Sequence, residues 1–470
     1  MMVGAEAGCG PPDALMSTET TRPSTEPAPA TPPRGSGGSS FLRSAAESWG
    51  SNIVGSAMSL GSVLAVSRAL GPSGRGNVAF LTTMAGLTAW AAMLGVPRAL
   101  ANFAPGMRDR LATLAGTALV LTLVSGGLGI AAVALLVAIV PAAGAHISPA
   151  LRWLALASVP MLVFQGALNQ LARSFYGHRV ANLMWTVPPA TNLVVNVSLA
   201  AAGALSVGAA LGAWIAGQLL LTLIQLVYVL RRVTGFGAPD AGLGRRMLGF
   251  GIRAHAGQVL MAGNYRMDQW IVGSISGSHE LGLYSVAVAW SETIFFLPTA
   301  LQAVLRPDLV RHSPEGARKQ ATLVLRASQL VTLLTVGALV LLAPFLCTTI
   351  FGHAFSGSVV QLRVLALGGF GIAALKLLGD ALTSQSKPML ETASIALTFV
   401  VVLALDVILI PSHGGLGAAV ASAVGYSAGG VAVALIFTRA LGGRLIDMVP
   451  RGTEIASLVR RARALAGRAR

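Results

Sequence analysis

The sequence predicts an all-α membrane protein of about twelve transmembrane helices. Three observations lead to this prediction: an apolar composition, a series of apolar runs of membrane-spanning length, and an alternation of charge between the connections. Hydrophobic residues make up 54% of the 470 positions and charged residues only 11%, and the mean hydropathy is +0.72. A soluble domain has roughly a quarter of its residues charged. Most of the surface is therefore expected to face lipid.

A helix needs about 20 mainly apolar residues to cross a bilayer. Twelve runs of the sequence meet this requirement, at 45–69, 78–101, 111–140, 153–174, 182–204, 208–230, 248–275, 280–304, 321–350, 359–383, 389–411 and 414–438.

These spans divide the chain into two six-helix bundles, a linker and two tails. The expected order is a disordered cytoplasmic tail, an N-terminal bundle, a cytoplasmic linker, a C-terminal bundle and a basic cytoplasmic tail, at 1–42, 43–232, 233–247, 248–440 and 441–470. The first forty residues are rich in Pro, Ser, Thr and Gly and lack the apolar core of a signal peptide. The last tail has two interpretations: an interfacial helix on anionic lipid, or a solvated basic tail that serves topology alone.

The connections alternate in charge. About 24 of the 33 Lys and Arg residues lie in the two tails and the even-to-odd loops, whereas the odd-to-even connections carry about three, Arg68, Arg75 and Arg152. Positive charge is retained in the cytoplasm, so a multi-pass protein of the cell membrane with both termini cytoplasmic is expected. This bias also accounts for the net charge of +16, and no nucleic-acid partner is inferred. Two cysteines, Cys9 and Cys347, give neither a disulfide framework nor a metal site.

The two halves of the chain repeat each other. At a shift of 206 positions, the turn after the first span aligns with the turn after the seventh, which matches Gly71 with Gly277 and Gly76 with Gly282. A second match, at a shift of 209, superposes 207–210 on the opening of the last span. Two halves with an even number of helices share one orientation, so the pseudo-two-fold axis is expected to lie along the membrane normal. A cavity between such repeats is the usual substrate site of transporters.

Several turns also resemble those of a known family. Residues 68–76, RALGPSGRG, resemble the R-x-L-G-P-x-x-x-G turn of polysaccharide flippases. Residues 265–273 (YRMDQWIVG) and 281–287 (LGLYSVA) look like that family's hairpin between helices seven and eight, and 411–422 is similar to its last outer turn. The resemblance covers about 43–440 and is to the oligosaccharide-flippase branch of the multidrug/oligosaccharidyl-lipid/polysaccharide (MOP) exporter superfamily.

The resemblance implies two six-helix bundles in a V around a cavity that opens to either side. It implies a polyprenyl-pyrophosphate-linked oligosaccharide as substrate, moved from the inner to the outer leaflet, with polysaccharide polymerases or glycosyltransferases as candidate partners. The lipid II flippases of the superfamily usually have fourteen helices, so a count of twelve favours the polysaccharide branch.

Ionisable residues at bilayer depth are costly and normally face protein or water. In span seven, Arg253, Asn264 and Asp268 fall on one stripe of the helix, and His255 and Arg266 on another. Arginine binds phosphate oxygens through a planar fork and stays charged, so Arg266 and Arg253 are candidate pyrophosphate ligands. The alternative is a structural ion pair, or for Arg253 a side chain that extends to the interface. Asp268 is a candidate coupling group or counter-ion, and His255 a proton-responsive or packing histidine.

Other charges have two interpretations each. Lys376 and Asp380 are four residues apart and predict an internal ion pair, with coupling as the alternative. Glu292 lies on a polar stripe of span eight and is a candidate coupling carboxylate. Asp406 is a further membrane-depth acid. Arg98, near the cytoplasmic end of span two, either meets the entering headgroup or anchors the helix end.

Asn192 and Asn196 lie one turn apart in span five and either join helices or line a saccharide path. No nucleotide-binding loop is present in the sequence. No cofactor or metal is therefore expected, and the drive would come from H⁺ or Na⁺ coupling or from the membrane potential.

Three other functions remain open. A lipid II flippase and a cation-coupled multidrug exporter belong to the same superfamily, and few membrane-depth carboxylates in the first half count against the exporter. A membrane-embedded polysaccharide polymerase or ligase would usually need a large outer loop, and the predicted outer connections are short.

Overall fold

The structure is a computed structural model that describes residues 38–139, 146–175, 177–232 and 235–450. These residues form helices and connections, with no strand among them. The helices fall into twelve segments: α1 (38–70), α2 (72–92 and Val96–Phe103), α3 (Leu111–Ile139), α4 (Pro149–Ala157 and Val159–Ser174), α5 (His178–Asn182 and Val187–Ala201), α6 (Val207–Arg232), α7 (Ala241–Ile275), α8 (Gly277–Ser291 and Phe296–Arg311), α9 (Pro314–Pro344, extended by the π-helix Phe345–Ile350), α10 (Ser358–Leu367 and Gly369–Ser384), α11 (388–413) and α12 (415–441).

Two of the divisions fall inside long continuous helices. Gly38–Ala92 is interrupted at Gly71 (φ 66°) and Pro388–Leu441 at Gly414 (φ 55°). Glycine adopts positive φ without the steric cost that a Cβ would bring. Each interruption reverses the chain between two spans, as the sequence predicted.

The segments correspond to the twelve predicted spans, within the residues that the structure describes. Seven of the described helices are long and apolar enough to cross a membrane. The chain is an all-α, multi-pass membrane protein, and the predicted fold class is confirmed.

Contacts divide the chain into residues 1–44 and 45–470. Of the first unit the structure describes only 38–44, which are helical, so the predicted tail of 1–42 is too long at its C-terminal end.

The predicted boundaries around α7 and the C-terminus also change. Helix α7 begins at Ala241 because the Asp240 carboxylate accepts a hydrogen bond from the backbone N–H of Leu243 at 2.9 Å, so the predicted linker of 233–247 is too long. After α12 the chain forms a short 3-10 helix, Leu445–Met448. The candidate interfacial helix of the last tail lies outside the described residues.

The spans have two ends, which differ in the connections that they carry. The Gly71 side carries the turns at Gly71, Gly277 and Gly414, and the Arg110 side carries the connections at Arg110 and Lys387. On the Gly71 side, one hydrophobic core contains residues of both predicted halves, including Phe80, Leu156, Val272, Tyr284 and Ala418. The halves therefore share their packing at this end.

Helix α7 crosses from one half to the other. On the Arg110 side its residues Leu243 and Met247 belong to the same core as Leu100, Leu114 and Leu171 of the first half. Further along, α7 packs chiefly against α11 and α12 of the second half. Its start therefore belongs to the first half and its remainder to the second.

Helices α2 and α8 meet in a reciprocal contact on the Gly71 side, which we call the glycine clasp (Pro72, Gly76, Ser278 and Gly282). A Cβ on Gly76 would lie 1.8 Å from the carbonyl oxygen of Ser278, and a Cβ on Gly282 would lie 1.9 Å from that of Pro72. Both pairs are related by the shift of 206 positions found in the sequence. The pseudo-two-fold axis therefore passes between α2 and α8.

Both helices of the clasp break ahead of a proline. Proline removes the donor of the i→i−4 hydrogen bond and disrupts the preceding turn. In α2 the break precedes Pro97 and includes Leu94 and Gly95, both at positive φ. In α8 it is the 3-10 segment Glu292–Phe295, which precedes Pro298. This second break presents the side chain of Glu292 to α7.

Candidate functional site

An ion pair joins α7 and α8 in the second half. Nη1 of Arg266 lies 2.7 Å from Oε1 of Glu292, and the two side chains are 40% and 34% exposed. The carboxylate lines a cavity between α7, α8, α10 and α12. The carboxylate of this pair therefore borders a small space inside the protein.

Two further cations lie near the pair. Arg75 of α2 interacts electrostatically with both Arg266 and Glu292, and its Nε is buried without a hydrogen-bond partner among the described residues. Nζ of Lys376 lies 5.7 Å from the ring centroid of Tyr265, the neighbour of Arg266 in sequence. With Asp268, which interacts electrostatically with Arg266, the region has three cations and two carboxylates and so an excess of one positive charge.

Aromatic rings form one wall of the same region. Tyr265 and Phe295 stack at 5.4 Å with an interplanar angle of 29°, and Tyr426 meets the Tyr265 ring edge-on at 6.5 Å. Lys376 lies 5.9 Å from the centroid of Phe295 as well. A cation over an aromatic face is electrostatically favourable. The phenol oxygen of Tyr265 is buried and has no partner among the described residues.

Two acidic residues, Asp268 and Asp406, form a second polar group. The hydroxyl of Tyr284 donates to Oδ2 of Asp268 at 2.5 Å, Ser422 donates to the same oxygen at 3.3 Å, and the N–H of Gln269 donates to Oδ1 at 2.6 Å. Asp406 of α11 is fully buried and interacts electrostatically with Asp268. In the part of the chain that the structure describes, neither carboxylate oxygen of Asp406 has a hydrogen-bond partner.

A small cavity connects the ion pair to these acids. It has a volume of about 20 Å³ and is lined by Asp268 and Glu292, and also by Tyr284, Ser291 and Tyr426. A polar cavity of this size holds about one water molecule. Asp268 and Glu292 therefore both border a space large enough for a water or a small cation.

Helix α7 divides its polar residues between two surroundings. Arg266 faces the ion pair, whereas Asn264 donates to the carbonyl of Ile395 at 3.3 Å and receives the Tyr426 hydroxyl on its own carbonyl at 2.7 Å. Asp268 faces α12 through Ser422. The two predicted stripes are thus separated near the middle of the helix.

Two predicted phosphate ligands lie elsewhere. Arg253 is exposed and donates to the carbonyl of Gly249 in its own helix at 2.8 Å. Arg98 is exposed and donates to the amide oxygen of Gln258 at 3.2 Å. Arg253 shares a helical phase with Asp268, but four turns away its side chain is exposed whereas Asp268 is buried. The structure does not bring either arginine to the cation cluster.

The predicted ion pair between Lys376 and Asp380 is absent from the described contacts. The spacing places the two residues on one face of α10, but the Lys376 ammonium turns to the rings of Tyr265 and Phe295. Asp380 is buried in the same helix. Lys376 therefore contacts the two aromatic rings, whereas its spacing in the sequence predicted a contact with Asp380.

Two other candidates, Asn196 and His255, have packing contacts. Nδ2 of Asn196 donates to the hydroxyl of Ser62 at 3.0 Å and so joins α5 to α1. Asn192, one turn earlier on α5, is not among the residues around Arg266. His255 stacks on Trp90, with ring centroids 6.5 Å apart, and its Nε2 lies 2.9 Å from the Trp90 carbonyl oxygen. These contacts join helices and do not form part of the cation cluster.

Sequence reasoning assigned Arg75 to an external loop and gave Asp406 no role. Arg75 lies four positions after Gly71, and hydropathy places such a charge in the turn. Only the crossing of α2 with α8 brings it towards Arg266. The tyrosines Tyr265, Tyr284 and Tyr426 were also missed because an aromatic residue in an apolar run has no distinct signal.

Comparison with known proteins identifies the family. Residues 65–360, well over half of the chain, match the sequence profile of a family described as "Polysaccharide biosynthesis protein". The chain belongs to this family. A search of curated proteins returned no match.

Solved structures with the same fold include transporters of the MOP superfamily. A structure described as lipid II flippase MurJ in an inward closed conformation has a TM-score of 0.70 at 12% identity and covers 85% of this chain and 88% of its own. An inward-facing multidrug resistance MATE family transporter has a TM-score of 0.65 at 16% identity, covering 83% and 94%. A MOP superfamily transporter from Pyrococcus furiosus has a TM-score of 0.58 at 16% identity, covering 85% and 95%.

These similarities establish the fold. The family is one of polysaccharide biosynthesis, and the similar structures are transporters and a flippase rather than enzymes. The resemblance found in the turns of the sequence is confirmed.

Proposed function

We propose that the chain moves a polyprenyl-pyrophosphate-linked oligosaccharide from the inner to the outer leaflet of the cytoplasmic membrane by alternating access. The observation that carries the proposal is the group of Arg75, Arg266 and Lys376 beside Glu292 and Tyr265 in a protein of the polysaccharide biosynthesis family. Buried cations without a full set of partners are costly. An anionic ligand is the simplest compensation.

The proposed roles follow from the side chains. The planar guanidinium groups of Arg75 and Arg266 would bind phosphate oxygens through paired hydrogen bonds, and the Lys376 ammonium would act as a point charge. The faces of Tyr265 and Phe295 offer apolar surface beside these cations for a sugar ring. The polyprenyl chain would remain in the lipid.

Two sources of energy are proposed. With both termini cytoplasmic, an inside-negative potential favours outward movement of an anionic headgroup by about 2.3 kcal/mol per charge per 100 mV. The second source is a cation at Asp268 and Asp406. Two carboxylates within electrostatic range in a buried site repel each other unless a proton or a monovalent cation lies between them. We propose this pair as the coupling site.

The test is transbilayer movement of a polyprenyl-pyrophosphate saccharide in proteoliposomes that contain the full chain. Arg266→Ala, Arg75→Ala and Lys376→Ala are each expected to reduce transport at least tenfold, because each removes one of three cations from the headgroup. Arg253→Ala is the matched control, since its side chain is exposed and donates to a carbonyl of its own helix, and it is expected to retain transport. Wild-type rates in both Arg266→Ala and Arg75→Ala would overturn the proposal.

The same assay separates the alternatives. Movement of lipid II but not of other polyprenyl-linked saccharides would identify a lipid II flippase. Efflux of cationic drugs without glycolipid movement would identify a multidrug exporter, but an excess of positive charge in the cluster repels such drugs. Polysaccharide polymerases and glycosyltransferases are proposed partners because they make or consume the transported saccharide.

A further inference from the structure

Glu292 has two structural roles. It is the partner of Arg266 at 2.7 Å, and it is the first residue of the 3-10 break in α8. Short 3-10 segments within a helix often mark hinges. Because Pro298 cannot donate to the preceding turn, the break has fewer hydrogen bonds to fix its geometry. The ion pair therefore joins Arg266 of α7 to the 3-10 break of α8.

We propose that Glu292 is an internal competitor of the anionic headgroup for Arg266. In the empty protein its carboxylate occupies the guanidinium fork. The diphosphate displaces it, and the displacement detaches the break of α8 from α7. This inference rests on the proposed function and assigns to the same site the step by which headgroup binding changes the helix arrangement.

The surroundings of Glu292 favour a replaceable partner. Arg266 and Arg75 face it from α7 and α2, and Lys376 of α10 lies nearby over the ring of Phe295. Asp268 lines the same small cavity. Arg75, Arg266 and Lys376 thus face two carboxylates, Glu292 and Asp268, so one positive charge is in excess and a second is released when Glu292 is displaced. A diphosphate supplies the missing negative charge, which a carboxylate alone does not.

A purely structural ion pair would have different surroundings. Buried pairs that serve only stability are stable when they are sealed and their remaining hydrogen-bonding atoms are satisfied. Here both side chains keep more than a third of their surface exposed. Nε of Arg75 and the phenol oxygen of Tyr265, both close by, have no partner among the described residues. The pair therefore lies in a site with unused binding capacity.

The test compares binding and transport in one variant. Inorganic pyrophosphate is titrated into the purified full-length protein by calorimetry, without divalent cations. Glu292→Gln keeps the shape of the side chain and removes its charge, so it is expected to bind pyrophosphate about tenfold more tightly than wild type, which corresponds to about 1.4 kcal/mol. The same variant is expected to transport the lipid-linked saccharide more slowly, because the headgroup leaves Arg266 less readily.

Glu280→Gln is the matched control. Glu280 lies on the same helix and accepts a hydrogen bond from the N–H of Gly415 at 3.2 Å on the Gly71 side, so its pyrophosphate affinity should equal that of wild type. A double variant adds a second control. In an Arg266→Ala background, Glu292→Gln should no longer tighten binding, because the two residues act on one interaction.

The outcomes separate the inference from the proposed function. If wild type binds pyrophosphate and Glu292→Gln binds it equally or more weakly, the competitor role is overturned while the proposed function stands. Tightening that persists in the Arg266→Ala background also overturns it. If wild type binds neither pyrophosphate nor the lipid-linked substrate, both fail together. Thermal unfolding of each variant checks that the fold is retained.

Discussion

Replacing Gly76 by Ala should separate α2 from α8 on the Gly71 side. The new Cβ would lie 1.8 Å from the carbonyl oxygen of Ser278, and real Cβ atoms essentially never come closer than 3.0 Å. The helices must therefore move apart by at least about 1.2 Å, the difference between these two distances. The opposing atom belongs to the backbone, so no rotation of a side chain relieves the clash.

The expected penalty is that of overpacking, about 2 kcal/mol within the usual range of 1–3. At about 1.4 kcal/mol per tenfold change, this shifts the ratio of clasped to separated molecules by roughly 30-fold. Gly282→Ala should have a similar effect, because its Cβ would lie 1.9 Å from the carbonyl of Pro72. The double variant should cost less than the sum, since one separation relieves both clashes.

Spin labels at Ser73 and His279 can measure this separation. Both residues are exposed and lie in the turns beside the clasp. In a background without Cys9 and Cys347, double electron–electron resonance should give a longer distance population in Gly76→Ala than in wild type. Gly86→Ala is the control, because a Cβ at Gly86 of the same helix would meet no atom within 4 Å. Equal distance distributions in Gly76→Ala and Gly86→Ala, with both proteins folded, would refute the described contact.

Three further predictions concern other sites. Asp406→Asn removes one of two repelling carboxylates, so transport in proteoliposomes should lose its dependence on a Na⁺ or proton gradient; unchanged dependence contradicts the coupling site. The backbone N–H of Leu243 and the nearby Arg110 lower the pKa of Asp240 from 3.8. The Asp240 contribution to stability is therefore complete above pH 3.8 and is lost as the pH falls through the lower pKa of the folded state. Asp240→Ala should reduce the melting temperature at neutral pH, and the melting temperature of this variant should fall less steeply in acid than that of wild type. Asn196→Ala removes the hydrogen bond to Ser62 and should cost about 0.6–1 kcal/mol, measured by thermal unfolding against Arg253→Ala.

The spans and the repeat could be predicted because each rests on a local property. Apolar length decides which segments lie in the membrane, and Gly71 and Gly277 recur at equivalent turns because both adopt positive φ. Gly76 and Gly282 recur for another reason: each meets the backbone of the opposite half. The sequence showed the match and not its cause, since the cause is a contact between residues some 200 positions apart.

The candidate site could be predicted only in part. Arg266 stood out because a charge in mid-span is costly, and the structure gives it a partner in Glu292. Helical phase grouped Arg253 with Asp268, but it does not predict which neighbouring helix packs on that face at each point along α7. Lys376 has a long side chain that reaches either Asp380 or Tyr265, and spacing along one helix cannot choose between them. Such choices depend on how the helices cross.

The reciprocity of the glycine clasp has a consequence for how this chain arose. A contact in which each partner offers the same surface to the other is the kind made by two identical subunits about a two-fold axis. In a six-helix ancestor that formed a homodimer, a single glycine would have made both contacts. Any substitution of that glycine would have changed the interface at two places. Fusion of two copies of such an ancestor into one chain would separate Gly76 from Gly282. Each can now change alone, so that one half of the protein can adapt to a ligand while the other keeps the ancestral fit.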